Sequence, residues 1–220
     1  MCGRYELHTQ PAAMALAFGL KYPPEITPRY NIAPTQQVPI IRRNADGERE
    51  LSQVRWGLVP FWAKDPSVGS KMINARAETV VSKPGFRDAY KKLRCLIPAS
   101  GFYEWGKMTD GTKQPVRVAM VDDRPFAFAG LWSRWGSKDA EIETCTIITT
   151  EANELCQHVH DRMPVILAAE NYVRWLDTAD ADPADLLRPY PSDAMRAYPV
   201  STKVNSPKND DESLIEPLSR

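Results

Sequence analysis

The sequence predicts a single α+β domain with a mostly antiparallel, barrel-like β-sheet and short helices at its periphery. Three observations predict this fold class. The chain of 220 residues is long enough to bury one core and only marginally long enough for two domains. Its 19 prolines exceed the usual share and favour turns over long helices. The predicted strands follow one another without the strand–helix alternation that a parallel sheet requires.

The first half of the chain is predicted to contain one helix and a pair of strands. The helix at 11–18 has proline in its first turn, and Gly19 follows its end. Two apolar runs at 38–42 and 51–56 are separated by Asn-Ala-Asp-Gly, which is typical of a hairpin turn. Residues 57–83 are rich in Pro, Gly, Ser and Trp, which favours a long surface connection.

The second half is predicted to be mainly β, with the helices placed around the sheet. Apolar, β-branched or aromatic runs predict strands at 93–97, 102–105, 116–121, 126–132, 144–149 and 197–200. Asp110-Gly111 marks a hairpin turn between the second and third of these strands. Helices are predicted at 85–92, 151–160, 171–176 and 183–187, with Thr150 as the N-cap of the second. The single domain covers 1–220, and 206–220 is predicted to be a polar, solvated tail.

The composition favours a protein of the cytoplasm without a metal. No apolar run approaches the roughly 20 residues that a membrane-spanning helix needs, and the N-terminus lacks the apolar core of a signal peptide. The four cysteines and three histidines contain no closely spaced ligand pairs, so no metal site is predicted. Cys95, Cys145 and Cys156 stand in apolar or helical runs and are predicted to lie in the core.

The distribution of charge is uneven although the net charge is zero. Residues 1–100 carry 15 Lys and Arg against 8 Asp and Glu, and the remainder of the chain carries the opposite imbalance. Such a division can produce a basic groove for nucleic acid on a neutral protein. The alternative is that the two halves intermix in one fold and the asymmetry averages out.

Cys2 is the most unusual position in the sequence. The initiator methionine is normally removed when a small residue follows it, and the mature chain would then begin with cysteine. Its α-amine and thiol would stand on adjacent carbons, and this pair converts an aldehyde first into an imine and then into a thiazolidine ring. Gly3 allows close approach of a ligand, and Arg4 supplies a cation suited to phosphate. The alternative is that Cys2 merely follows Met1 and has no role.

Eight motif blocks are spread in order over nearly the entire chain. They are MCGRY at the N-terminus, RYNIAP (29–34), WGLVPFW (56–62), INARAET (73–79), RCLIPASGFYEW (94–105), TIITTEAN (146–153), HDRMPVIL (160–167) and PVSTKVN (199–205). In these long and correctly ordered blocks the sequence resembles the SOS-response-associated peptidase (SRAP) family of abasic-site-processing proteins.

The resemblance implies a fold and an activity. The implied fold is an α+β fold with a β pseudo-barrel, in agreement with the elements above. The implied activity is a covalent cross-link between Cys2 and the ring-opened aldehyde of an abasic site in single-stranded DNA, which protects the lesion. The family uses no metal or organic cofactor. A monomer that binds single-stranded DNA and single-strand/double-strand junctions, in the cytoplasm or on the nucleoid, is therefore expected.

The resemblance also implies catalytic roles, which the residue chemistry permits. Glu104 stands between aromatic residues and would move protons during imine formation and ring closure; the alternative is a surface carboxylate on an amphipathic strand. His160 would protonate the deoxyribose ring oxygen; the alternative is a helix-end histidine paired with Asp161 or with the helix dipole. Asn74 offers a donor and an acceptor for a sugar hydroxyl or the Cys2 amine.

Five residues are the expected DNA contacts. Arg4 and Arg76 are natural phosphate ligands, and Thr149 resembles a family position that contacts the DNA backbone. Phe61 and Trp62 follow a turn and precede a lysine, which favours stacking on bases or a wedge at a duplex junction. Packing of these two aromatic side chains in the core is the alternative.

Two other functions compete with the cross-linking reaction. A hydrolase with an N-terminal nucleophile would use the Cys2 thiol against an amide, and self-cleavage after Met1 belongs to this class. A non-catalytic reader of modified DNA would need Arg4, Arg76 and Trp62 but no free amine. Trapping of an abasic-site aldehyde separates the three functions.

Overall fold

Thirteen strands and four α-helices organise the described part of the chain, residues 2–137, 140–179 and 182–218 of a computed structural model. The strands are β1 (Tyr5–Leu7), β2 (Arg29–Ile32), β3 (Gln37–Arg43), β4 (Arg49–Trp56), β5 (Asn74–Arg76), β6 (Arg94–Ala99), β7 (Gly101–Lys107), β8 (Lys113–Met120), β9 (Phe126–Trp135), β10 (Ile142–Glu151), β11 (Arg162–Pro164), β12 (Ile166–Leu167) and β13 (Met195–Pro199). The helices are α1 (Pro11–Phe18), α2 (Arg87–Lys92), α3 (Glu154–Gln157) and α4 (Tyr172–Leu176). None of the described helices is long and apolar enough to cross a membrane.

Five strands close into a barrel in the order β10-β4-β3-β6-β9, and β9 pairs again with β10. Four of these pairings are antiparallel, and only β10–β4 is parallel. β5, β11 and β12 extend the barrel sheet at its edges. The α+β fold with a mostly antiparallel barrel, predicted from the sequence, is therefore confirmed.

A second sheet of order β13-β8-β7-β1-β2 packs against the barrel. Tyr5 of β1 makes edge-to-face contacts with Trp56 and Phe128 of the barrel, at ring-centroid distances of 5.4 and 5.7 Å. Phe102 of β7 also contacts Phe128. Such aromatic pairs combine large buried area with defined geometry. They hold the N-terminal strand in a fixed position against the barrel wall.

Most predicted elements are present with small changes in their bounds. The helix at 11–18 ends at Gly19, whose φ of 62° is the left-handed conformation that glycine adopts without strain. The hairpin of β7 and β8 turns at Asp110-Gly111, where the Asp110 carboxylate accepts from the Thr112 amide. The short strands β1, β2, β5, β11 and β12 were not predicted, because two to four residues give too short a pattern to recognise.

The prediction of a helix at 151–160 is wrong. β10 continues through Thr150 to Glu151, and only Glu154–Gln157 is helical. Asn153, rather than Thr150, is the N-cap, and its side chain accepts from the Cys156 amide. Pairing of β10 with β11 extends the strand, since Thr150 lies opposite Met163 in that ladder. Tertiary strand pairing therefore overrides the local helical pattern.

The predictions for 57–83 and for the tail are wrong in part. The connection contains a 3₁₀-helix at Pro66–Lys71 and strand β5, and Leu58 and Val59 are fully buried within it. In the tail, Leu214 is fully buried and the Asp210 carboxylate accepts from the backbone amides of β2. The sequence of the tail is polar, but its backbone and one apolar side chain are part of the folded domain.

Candidate active site

Cys2 lies where β1 approaches the middle of β7. Tyr5 pairs with Phe102 and Glu6 with Gly101 in this antiparallel ladder, and the Tyr103 amide donates to the Arg4 carbonyl at 2.9 Å. The same register carries the residues before Arg4 toward Glu104. On the other side, Asn74 Nδ2 donates to the Cys2 carbonyl oxygen at 2.8 Å. The structure therefore brings together the N-terminal segment, β5 and β7.

Burial changes the acidity of the two groups that are expected to react. Cys2 is fully buried, and this burial, together with the nearby Glu104 carboxylate, raises the pKa of its thiol far above the ordinary value. Glu104 is 6% exposed, and burial raises its pKa as well, whereas the charge of His160 acts to lower it. Both groups therefore favour their protonated, neutral forms in this environment.

His160 follows α3 by three residues and lies just beyond the turn at 158–159, rather than at the helix end that was expected. Its Nδ1 accepts from the Arg162 amide at 3.0 Å and lies 2.7 Å from Asp161 Oδ1. These two contacts exclude one another, because Nδ1 accepts from the amide only without a proton and pairs with Asp161 only with one. The side chain is 31% exposed, so the imidazole is open to solvent, and its charge acts to lower the pKa of the buried Glu104.

Asn74 is held by the barrel edge. β5 runs parallel to β10, with Asn74 opposite Ile147 and Arg76 opposite Thr149. The Asn74 Oδ1 atom is buried and finds no hydrogen-bond partner among the described residues. A buried acceptor without a donor is costly, so this oxygen is suited to receive a hydroxyl or an amine from a ligand.

Arg4 is half-buried and lies immediately before β1. Its Nη1 donates to Asn31 Oδ1 and to the Val204 carbonyl, both at 2.7 Å. The guanidinium carbon lies 5.8 Å above the Trp105 ring, a cation–π distance. Burial lowers the pKa of Arg4, but an arginine remains charged at neutral pH.

Phe61 and Trp62 are 65% and 55% exposed, so the alternative that they pack in the core is wrong. They form one wall of a pocket of about 390 Å³ that Lys92 and Trp132 also line. The loop that carries them is fixed by the Trp135 indole, which donates to the Ala63 carbonyl at 2.6 Å. Two aromatic faces are thus available to solvent beside a lysine.

The remaining expected DNA contacts have contrasting positions. Arg76 is exposed and forms no ion pair within residues 2–137, 140–179 and 182–218. Thr149 is fully buried, so its side chain does not reach the surface and its position does not support the contact expected of it. The Thr149 carbonyl instead accepts from Arg162 Nη2 at 2.6 Å, and Arg162 also forms a two-bond ion pair with Glu78.

The sequence of this chain matches a known family over most of its length. The model of the family described as SOS response associated peptidase (SRAP) matches residues 1–207. The chain belongs to the SRAP family. Its relatives include the abasic site processing proteins YoqW and YoaM of Bacillus subtilis. YoqW is 46% identical, and the match covers 98% of this chain and 99% of that protein. YoaM is 44% identical and the match covers 98% of each chain.

The SRAP fold is also seen in solved structures. A crystal structure of a protein from Bacteroides thetaiotaomicron is 29% identical, with a TM-score of 0.87. That match covers 99% of this chain and all of the other. The family fold and the resemblance predicted from the sequence motifs are therefore confirmed.

Two residues at the site were missed by the sequence analysis. Asn31 is fully buried and contacts Arg4, and Arg162 is bound to Thr149 and Glu78. Both stand inside the family-like blocks RYNIAP and HDRMPVIL, and a polar residue within an apolar strand is a signal for a buried partner. No group of three or more His, Cys, Asp or Glu side chains among the described residues could hold a metal ion.

Proposed function

We propose that this protein binds single-stranded DNA at an abasic site and forms a covalent thiazolidine link between Cys2 and the ring-opened sugar aldehyde. The observation that carries the proposal is the convergence of Cys2, Asn74 and Glu104, with His160 close enough to affect the pKa of Glu104. Membership of a family whose relatives are abasic site processing proteins supports the choice of substrate. The chemistry needs no metal or organic cofactor.

The reaction begins with the closed sugar of the abasic site. His160 in its protonated form gives a proton to the ring oxygen while the C1′ hydroxyl gives its proton to a solvent water, which opens the deoxyribose to its aldehyde. The Cys2 amine then adds to C1′ and forms a carbinolamine. Glu104 in its neutral form donates a proton to the departing hydroxyl, and water leaves as the iminium forms. The raised pKa of Glu104 supports this role, because it keeps the proton available.

In ring closure the Glu104 carboxyl group acts as a base, after acting as an acid in the preceding step. The Cys2 thiol is neutral in its buried position, so it needs a base when its sulfur attacks the iminium carbon. Glu104 is a carboxylate after the first proton transfer and accepts the thiol proton. The net change is one aldehyde plus one aminothiol giving a thiazolidine and one water. Reversal follows the same proton path, and an iminium that escapes closure permits strand cleavage, an abasic-site lyase side reaction.

DNA contacts are proposed for the arginine and aromatic side chains that the sequence predicted. Arg4 and Arg76 bind phosphates, and the exposed rings of Phe61 and Trp62 stack on bases or mark a duplex junction. Thr149 contributes through its carbonyl, which holds Arg162 at the edge of β10. All of these residues belong to one chain, so we propose that a monomer acts on DNA in the cytoplasm and on the nucleoid.

The decisive experiment is a denaturing assay for a covalent adduct. Protein is mixed with a single-stranded oligonucleotide carrying one abasic site, denatured with heat and reductant, and analysed by gel and intact mass. We expect an adduct with the summed mass minus one water, which Cys2→Ala and an extra residue before Cys2 abolish. Cys156→Ala is the matched control and retains the adduct, because that buried thiol has no adjacent amine. A wild-type protein that gives no adduct would refute the proposal.

Removal of Met1 is a separate part of the proposal and concerns a residue outside the described ranges. Self-cleavage would use Cys2 as a nucleophile, with Asn74, Glu104 and His160 nearby, and this is the hydrolase alternative. Intact-mass analysis of Cys2→Ala decides between the two routes. A cellular aminopeptidase removes Met1 before alanine as well, whereas self-cleavage leaves Met1 on the variant. A third function, reading of modified DNA without a bond, predicts binding that survives Cys2→Ala with no adduct in the wild type.

A further inference from the structure

We infer that Asn31 is the residue that positions Arg4 for phosphate, and that it does so by tying three distant parts of the chain into one site. This inference rests on the proposed function, in which Arg4 contacts DNA. Asn31 lies in β2 and is fully buried. Its Oδ1 accepts from Arg4 Nη1 at 2.7 Å. Its Nδ2 atom points to the C-terminal segment, defined here as residues 204–210.

The amide nitrogen of Asn31 organises this segment. Nδ2 lies within hydrogen-bond distance of the carbonyl oxygens of Val204, Ser206 and Asn209, at 3.2, 3.0 and 2.7 Å. The Val204 carbonyl also accepts from Arg4 Nη1 at 2.7 Å, so Arg4 and Asn31 share this acceptor. The Asp210 carboxylate closes the arrangement by accepting from the Asn31 backbone amide at 2.9 Å. The residue therefore joins β2, the N-terminal segment and the C-terminal segment.

The chemistry of Arg4 in this position points to an anion. Its acceptors are the neutral oxygens of an amide and a carbonyl, and no carboxylate lies within 4.0 Å of it in the described ranges. Its Nε atom is buried and has no hydrogen-bond partner among the described residues. A half-buried guanidinium held only by neutral oxygens keeps its full charge, and a phosphate is the anion that DNA supplies.

Asparagine is the side chain that meets all these requirements. It supplies one acceptor for the guanidinium and donors for the carbonyl oxygens of the C-terminal segment. An aspartate of the same shape would hold Arg4 but would neutralise its charge and lose the donors. A leucine would lose both functions. Asn31 therefore orients the cation and leaves its charge for the ligand.

The test is a double-mutant cycle of Arg4→Ala and Asn31→Asp, measured as equilibrium binding to a single-stranded oligonucleotide. The oligonucleotide carries a tetrahydrofuran abasic analogue, which has no aldehyde, so only non-covalent binding is measured. Titrations at several salt concentrations give the dependence of the binding constant on salt. We expect Arg4→Ala to reduce affinity about tenfold and the salt slope by about 0.7, the value for one phosphate contact on a single strand.

Asn31→Asp is expected to reproduce the loss of affinity and of salt slope, because its carboxylate replaces the phosphate as the partner of Arg4. The double variant is expected to bind within about twofold of Arg4→Ala, since the two changes remove the same contact. Lys21→Ala is the matched control. This exposed lysine pairs with Glu48 at 3.4 Å and lies 5.9 Å from the Tyr22 ring centre, and we expect its removal to leave the slope unchanged.

Two results would overturn the inference, and they differ in what they imply. If Arg4→Ala leaves the affinity and the salt slope unchanged, Arg4 does not contact a phosphate. The positioning role of Asn31 is then refuted as well. If Arg4→Ala has the expected effect but the two changes reduce affinity independently in the double variant, only the positioning role of Asn31 is refuted. If thermal unfolding shows that Asn31→Asp is not folded, Asn31→Ser replaces it in the same cycle, because the shorter serine hydroxyl does not reach Arg4. Positioning again requires that the serine change has no further effect in the Arg4→Ala background.

Discussion

Burial of the Glu104 carboxyl group affects both the stability of the fold and the proposed proton transfer. A carboxyl group that is 6% exposed disfavours ionisation, which raises its pKa. The unfolded chain holds this carboxyl in water, where its pKa is lower. Raising the pH through the folded-state pKa therefore ionises a group that the fold holds in a poorly solvated place, and its contribution to stability declines. The same proton is the one that the proposed iminium step consumes.

The pH dependence of adduct formation follows from this residue. We expect a bell-shaped profile in the wild type, because the rate rises as the Cys2 amine loses its proton and falls as Glu104 loses its own. Glu104→Gln is expected to lower the rate about 100-fold or more and to lack the alkaline decline. The measurement is single-turnover adduct formation between pH 5 and 9. Urea unfolding at pH 5 and pH 9 provides the control, in which the wild type is expected to lose stability relative to the variant as pH rises. If the alkaline decline persists in Glu104→Gln, another group causes it.

At the scale of elements, the segment 57–72 presents Phe61 and Trp62 from a rigid base. Gly57 and Gly69 cross at this base, where a Cβ on Gly69 would lie 2.5 Å from the Gly57 carbonyl oxygen. Gly57 has a φ of 129°, a conformation that favours glycine. The Leu58 amide donates to the Met72 carbonyl at 3.2 Å, which closes the segment. The aromatic pair is therefore fixed before any ligand binds.

Gly69→Ala tests whether this crossing matters for DNA. The added methyl group forces the segment away from Gly57, so we expect a loss of about 1–3 kcal/mol in the free energy of unfolding. We also expect the preference for single-strand/double-strand junctions over plain single strands to fall. Gly47→Ala is the control, because a Cβ there meets nothing within 4 Å and only the φ of 80° is strained, at about 1 kcal/mol. If a folded Gly69→Ala protein keeps its preference for junctions, the position of the loop does not determine that preference.

At the scale of the molecule, a buried ion pair fixes the sheet that carries Cys2. Glu6 Oε1 of β1 accepts from Arg117 Nε and Nη2 of β8 at 2.8 and 2.6 Å, and Tyr103 of β7 donates to Glu6 Oε2. Burial acts to raise the pKa of Glu6, but the His8 imidazole 3.6 Å away, the charge of Arg117 and the hydrogen bonds from Arg117 and Tyr103 more than offset it and lower the pKa. One carboxylate thus links the three strands that align Cys2 with Glu104.

Removing this carboxylate should destabilise the whole domain. We expect Glu6→Gln to cost about 3–5 kcal/mol, because it leaves the Arg117 charge buried without its partner. A lowered folded-state pKa gives stability that is present above the unfolded pKa and is lost as pH falls through the folded value. Urea unfolding of wild type and variant at pH 7 and pH 3 measures both effects, and the difference should shrink in acid. The double variant Glu6→Gln/Arg117→Met serves as the control and should recover part of the loss.

The predicted site residues differ in how far the sequence could determine them. The motif blocks predicted roles for Cys2, Asn74, Glu104 and His160, and in the structure Cys2 lies next to Asn74 and Glu104. The blocks could not show that Thr149 is buried or that Arg4 is held by Asn31. Burial of a strand residue depends on its neighbours in the sheet, and Arg4 and the Val204 carbonyl are 200 positions apart in the chain. Such contacts leave no local pattern.

The sequence by itself determined the family, the α+β class and the longer strands, and it predicted the reactive side chains, because each depends on local pattern or on motif. Only the tertiary structure decided that β10 extends through Glu151 in place of a helix, that five strands close into a barrel, and that the C-terminal segment reaches Arg4. The physical reason is that strand pairing and burial are set by partners far apart in the chain. The same burial sets the protonation of Cys2 and Glu104, on which the chemistry depends.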